Sequence, residues 1–148
     1  MPRVRKLVAR LGLEGRVILH GEQDHEFVAG QMRRASIFMQ HSVTSLGGDA
    51  EGAPTAIQEA MMAGAAVVST RHAGIPELIE ESVTGLLVRE RDLGGYTRAL
   101  QQVVSDPGVR QRLGAAAHAH ALEHFDYRKL YTRLEAAMAA TIATRRVR

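Results

Sequence analysis

The sequence predicts an α/β fold, a three-layer α/β/α arrangement on a short parallel sheet, from three observations. Strand-like and helix-like segments alternate along the chain, which implies right-handed crossovers and a parallel sheet. The run Val67-Val68-Ser69-Thr70 is a short buried strand that directly follows a helix-length segment. At 148 residues with 45% hydrophobic content, the chain has room for one core and not for a second.

The elements follow in order. Val4, Leu7, Val8 and Leu11 fall at helical spacing over Arg3 to Leu11, and Gly12 and Gly15 end that segment. Val17 to Leu19 reads as a first short strand that stops at Gly21, and Gln23 to Arg34 as a helix. Ser36 to His41 is the second strand, followed by a polar loop, Ser45 to Ala53, rich in glycine. A helix is expected from Pro54 to Ala63, with Pro54 at its first position and Gly64 ending it in a left-handed conformation. Ala66 to Thr70 and Leu86 to Val88 are the third and fourth strands. Leu93 to Ser105, Pro107 to His124 and Tyr127 to Arg145 are helices. The whole is read as one domain over 1–148, with a C-terminal helix in 126–148.

Ligands in open parallel sheets bind beyond the carboxyl ends of the strands. That rule selects Gly21 and Glu22, His41 and Ser42, and Thr70 to His72, with the loop Glu51-Gly52-Ala53-Pro54 opening on the same edge. The first-turn amides of the following helix, Thr55, Ala56 and Ile57, have no intrahelical acceptor and carry partial positive charge. Gly52 lets an anion approach the backbone closely. The segment therefore reads as a phosphate site. Glu51 and Glu59, eight positions apart, add carboxylates that accept from paired hydroxyls. In a chain with 16 acidic residues that spacing alone is a weak motif.

The full string is far more specific. Glu51-Gly52-Ala53-Pro54, Glu59-Ala60-Met61-Met62-Ala63-Gly64, Val67-Val68 and Gly74-Ile75-Pro76-Glu77 resemble the C-terminal, Rossmann-like half of GT-B fold retaining glycosyltransferases of family four. That family's pattern is E-G-x-P-x-x-x-x-E-A-M-x-x-G-x-P-V-V, then G-x-x-E; here Ala66 replaces the usual proline. His41-Ser42, Gly85-Leu86-Leu87-Val88 and Glu123 to Tyr127 extend the likeness, and Ser42 to Thr44 with Gly48-Asp49 is most similar to exopolysaccharide and capsule members. The resemblance implies transfer of a hexose from a nucleotide diphosphate sugar to a glycan or lipid-linked acceptor. It implies Glu51 as the catalytic carboxylate, Gly21 and Glu22 beside the nucleobase, Gly52 to Ala56 on the sugar and distal phosphate, and Glu59 on the ribose hydroxyls. No cofactor or metal is expected.

Other chemistries find no support. There is no cysteine for a disulfide, thiolate or zinc site, and no nucleophile elbow, Walker loop or dinucleotide fingerprint. His118 and His120 would point about 200° apart on a helix, too far to share a metal. Met61 shares a helical face with Ile57 and Gly64 and reads as core. The net charge of +3 invites a nucleic-acid partner, but three Phe, three Tyr and no Trp leave little for base stacking. Solvated helix faces, or attraction of the basic residues to acidic lipid headgroups, are the better readings of that charge. With no signal-peptide or membrane-spanning run, the expected location is cytoplasmic, peripheral at most to the inner face of the membrane.

The resembled domain opens with two further strand-helix units carrying a G-R and a lysine that neutralise the donor diphosphate, and neither is in these residues. The chain by itself is therefore expected to be inactive. The alternative is a non-catalytic nucleotide-binding or interaction module on the same fold. In the resembled sheet the two missing strands lie between Val17-Leu19 and Ile37-Gln40. Two remedies for the gap are expected: a four-stranded sheet of order 1-2-3-4 with the first strand paired to the second, or a homodimer joined at sheet edges.

Overall fold

The computed structural model describes residues 2–45 and 52–145. Residue contacts group the chain into two units, Met1–Gln31 and Met32–Arg148. The first unit holds helix α1, Pro2–Arg10, and most of α2, His25–Arg34. The helix α2 starts two residues later than expected because Asp24 caps it, its carboxylate accepting from the Phe27 amide at 2.8 Å.

Val17 to Leu19 is not a strand. It contributes one isolated bridge, Glu14 to Val17, and the Val17 amide bonds the Leu13 carbonyl at 3.0 Å inside a local turn. Val17 and Ile18 are 39% and 71% exposed, so these residues bury too little apolar surface to offset the ordering of a strand. Among the described residues the sheet therefore has three strands in parallel order β1-β2-β3: β1 Ile37–Gln40, β2 Ala66–Thr70 and β3 Gly85–Val88. Phe38 pairs with Val67 and Val68 with Leu86. The expected four-stranded order is overturned at its first member, and β1 has one partner strand, β2.

The strand β2 is buried at all five positions, as a central parallel strand covered on both faces should be. Its side chains alternate between two cores. Val67 faces Ile57, Ala60 and Met61 of helix α3, Thr55–Met62, together with Ile75 and Leu78 of the short helix α4, Ile75–Leu78. Ala66 and Val68 face Tyr96, Ala99 and Val103 of α5, Leu93–Ser105. Helix α6, Pro107–His124, serves both, with Leu113 in the second core and Ala117 and Ala121 in the first. Buried Tyr96 donates to the Val68 carbonyl at 3.1 Å, and burial pushes its phenol up to about 12.

The last three helices have the expected bounds, ending with α7, Tyr127–Arg145. Each is started by an aspartate. Asp92 accepts from Gly95, Asp106 from Gly108 and Val109, and Asp126 from Arg128. Pro107 at the start of α6 has no amide to satisfy.

Candidate functional site

The site is built on the start of α3. Pro54 is the N-cap residue, extended at φ −64° and ψ 122°, and not the first helical residue as expected. It offers no capping side chain, so the helix opens with donors still to be matched. The Ile57 amide is removed from that set, because it donates to the Pro54 carbonyl at 3.1 Å. Thr55 and Ala56 keep amides without an intrahelical acceptor, and Gly52 and Ala53 ahead of them are exposed. A β-carbon on Gly74 would lie 3.3 Å from the Gly52 carbonyl and 3.4 Å from the Ala53 amide, so Gly74 packs directly on this loop.

The far end of α3 is closed as the sequence reading expected. Gly64 has φ +78°, its amide bonds the Met61 carbonyl, and the Ala65 amide bonds the Ala60 carbonyl at 3.1 Å. These two bonds make a Schellman termination. His118 of α6 adds a ring nitrogen 2.7 Å from the Met62 carbonyl. Both ends of the helix are thus fixed, and Glu59 projects from it partly exposed. Among the described residues Glu59 forms no ion pair.

At the carboxyl ends of the strands lies a polar group that sequence reasoning did not identify. The Glu90 carboxylate accepts from the Thr44 amide at 2.8 Å and its hydroxyl at 3.1 Å, and stands 2.7 Å from Nδ1 of His72. His72 is 2% exposed. The Thr44 amide first, and then the His72 hydrogen bond, hold the Glu90 carboxyl down from 4.5 to about 2. A carboxylate lowered by folding stabilises the native state above its unfolded value. That contribution is lost as pH falls from about 4.5 through about 2. Urea unfolding of the wild type should therefore show a stability loss across this window that Glu90→Gln shows to a smaller extent; parallel pH profiles would remove Glu90 from the acid response.

The sequence-selected residues fall out as follows. Gly52, Ala53, Pro54, Thr55, Ala56 and Glu59 come together around the start and first turns of α3. Glu51 lies outside the described residues. Gly21, at φ +73°, and Glu22 belong to the first unit. Ser42 is bound twice to Thr70, its amide donating to the Thr70 hydroxyl at 3.1 Å and its carbonyl accepting from that hydroxyl at 2.6 Å. His41 is exposed and meets the Tyr96 ring edge-on, with centroids 5.2 Å apart. Arg71 is paired with Glu81 at 2.9 Å. His120 packs on His124 and Phe125, and desolvation lowers its imidazole. Met61 is fully buried core. No cluster of three or more metal-ligating side chains occurs among the described residues.

The geometry has close counterparts. WcaL of Escherichia coli (strain K12), by name a colanic acid biosynthesis glycosyltransferase, is 43% identical over 100 residues, 68% of this chain and 24% of WcaL. The amylovoran biosynthesis glycosyltransferase AmsK of Erwinia amylovora is 43% identical over 89 residues, 60% of this chain and 22% of AmsK. The chain thus spans about a quarter of the length of these relatives. Among solved structures, Anabaena Alr3699/HepE in complex with UDP superposes with a TM-score of 0.78 at 24% identity, covering 94% of this chain and 36% of that one. The same protein has been solved with UDP-glucose. This likeness shows the fold, that of GT-B glycosyltransferases. Residues 2–120 match the family model of the glycosyl transferases group 1, and the chain belongs to that family.

Proposed function

We propose that these residues form the donor-binding part of a glycosyltransferase that moves a hexose from a nucleotide diphosphate sugar to a glycan or lipid-linked acceptor in polysaccharide biosynthesis. The observation that carries this reading is the uncapped start of α3, where exposed Gly52 precedes the Thr55 and Ala56 amides and partly exposed Glu59 follows in the same helix. In this reading the amides take the distal phosphate and Glu59 accepts from the ribose hydroxyls. Glu51 holds the donor sugar. Transition-state stabilisation in such a reaction is electrostatic, applied to the departing diphosphate. Neither cofactor nor metal enters the reading, so binding should survive a chelator. The chain by itself should transfer no sugar.

Titration calorimetry with UDP, GDP and the parent nucleosides tests the cradle. A diphosphate should bind, and uridine or guanosine should bind at least tenfold more weakly if phosphate contacts supply about 1.4 kcal/mol or more. Equal affinity for nucleoside and diphosphate would remove the phosphate role of α3.

The basic helix α1 carries Arg3, Arg5, Lys6 and Arg10 with no acidic residue, which favours a peripheral contact with acidic lipid. Among the described residues no helix is long and apolar enough to cross a membrane. Salt-sensitive sedimentation with phosphatidylglycerol vesicles would support that contact, and no sedimentation at low salt would exclude it. The edge position of β1 favours a homodimer, which light scattering decides: a monomer at working concentration rejects it.

A further inference from the structure

Residues that follow each of the three strands converge on one carboxylate. Thr44 lies beyond β1, His72 two residues beyond β2, and Glu90 two residues beyond β3. Glu90 accepts from the Thr44 amide and hydroxyl with its two oxygens and meets His72 Nδ1 with one of them. Arg91, the next residue, returns a guanidinium nitrogen to the Thr44 carbonyl at 2.8 Å. The ends of β1, β2 and β3 are thereby tied to one another on the side of the sheet where α/β folds bind ligands.

The backbone on both arms of the tie is held in a conformation that non-glycine residues rarely adopt. Ala73, beside His72, has φ +43°, and Arg91, beside Glu90, has φ +63°. Such a conformation carries backbone strain and persists only where its surroundings enforce it. Burying an imidazole against a carboxylate adds a desolvation cost. What lies beyond Ala73 gives them a use. The Ile75 amide bonds the His72 carbonyl at 2.9 Å, closing a turn over 72–75. Within that turn Gly74 sits against the backbone of Gly52 and Ala53, with no room for a β-carbon at ordinary contact distance. A path of contacts therefore leads from the Glu90 carboxylate through His72 and the 72–75 turn to the residues that begin α3.

We propose that Glu90 is a positioning residue for the donor cradle, one that touches no donor atom and fixes Gly52 and Ala53 by holding His72 and Thr44 in place. The inference rests on the donor reading above. It is tested on the full chain with Glu90→Gln, Thr44→Val and the double variant. All three should fold, as circular dichroism will report. Each single variant should weaken UDP about 3- to 30-fold, the range for residues that modulate a site without touching its ligand. The double variant should weaken it by less than the two single effects combined, because both loosen the same tie. In nitrogen-proton correlation spectra without ligand, the Gly52 and Gly74 amides should shift in Glu90→Gln although neither bonds Glu90. Unchanged UDP affinity in Glu90→Gln, or Gly52 and Gly74 resonances that stay in place, overturns the proposal. A wild type that binds no UDP overturns the donor reading, while shifted Gly52 and Gly74 amides in that case still support the mechanical link.

Discussion

Gly114→Ala is expected to destabilise the protein by about 3 kcal/mol, at the upper end of overpacking costs. A β-carbon at Gly114, in the middle of α6, would overlap the carbonyl oxygen of Gly64. The obstacle is backbone and has little freedom to retreat. Gly64 sits at φ +78° in the termination of α3, its own amide bonded to Met61 and its neighbour Ala65 bonded to Ala60. The alternative to moving Gly64 is moving α6, and buried Leu113, Ala117 and Ala121 fix α6 against both cores. Thermal unfolding should fall by roughly 10 °C. Gly94→Ala in the first turn of α5 is the control. Its new methyl would meet the end of the Arg98 side chain at 3.4 Å, which can swing aside. The same chemical change there should be neutral or stabilising by up to about 1 kcal/mol. If Gly114→Ala unfolds at the wild-type temperature, the close approach of α6 to the end of α3 is wrong.

The same contact shows what the sequence could and could not disclose. Gly64 was legible as a helix terminator, because a glycine after a helical pattern has a local reason to be there. Gly114 was not, because its reason is a carbonyl 50 positions away in sequence. The strands β1, β2 and β3 and the three long final helices were legible for a related reason. Short apolar runs mark the strands, and aspartate or proline starts mark the helices, and both are local signals. Val17 to Leu19 carried the same local signal and failed, since a three-residue apolar run becomes a strand only where a neighbour covers it, and Val17 and Ile18 are uncovered. The N-cap position of Pro54 was missed by one residue. The φ of proline suits both positions, and ψ decides between them.

Within the site, the motif string located the loop and helix, and Glu90 escaped it. Nothing in Arg89-Glu90-Arg91 marks the middle residue as inward, and a charged triplet after a strand reads as solvated surface. His72 was selected by its place after β2, and the structure sets its ring against a carboxylate. The available signal was positional: an acidic residue two places beyond the third strand stands on the same edge as a histidine two places beyond the second.

Glu59→Ala should weaken UDP by about 1–3 kcal/mol, or roughly 5- to 150-fold, and leave the affinity for inorganic pyrophosphate unchanged. The two ligands separate the two parts of the proposed cradle. Pyrophosphate can use the Thr55 and Ala56 amides and has nothing to offer a carboxylate; UDP brings two ribose hydroxyls that a carboxylate can accept from. Glu59 suits that task because it is partly screened from solvent, projects from a helix fixed at both ends, and forms no ion pair among the described residues that a ligand would have to break. Glu59→Gln should fall between wild type and alanine, since an amide oxygen still accepts but the nitrogen does not. The fold should be indifferent, as Glu59 lies off the face that carries Ile57, Ala60 and Met61 into the core. If UDP and pyrophosphate weaken together, the carboxylate acts on the helix or on the phosphates. If neither weakens, Glu59 has no part in binding and the ribose must be held elsewhere.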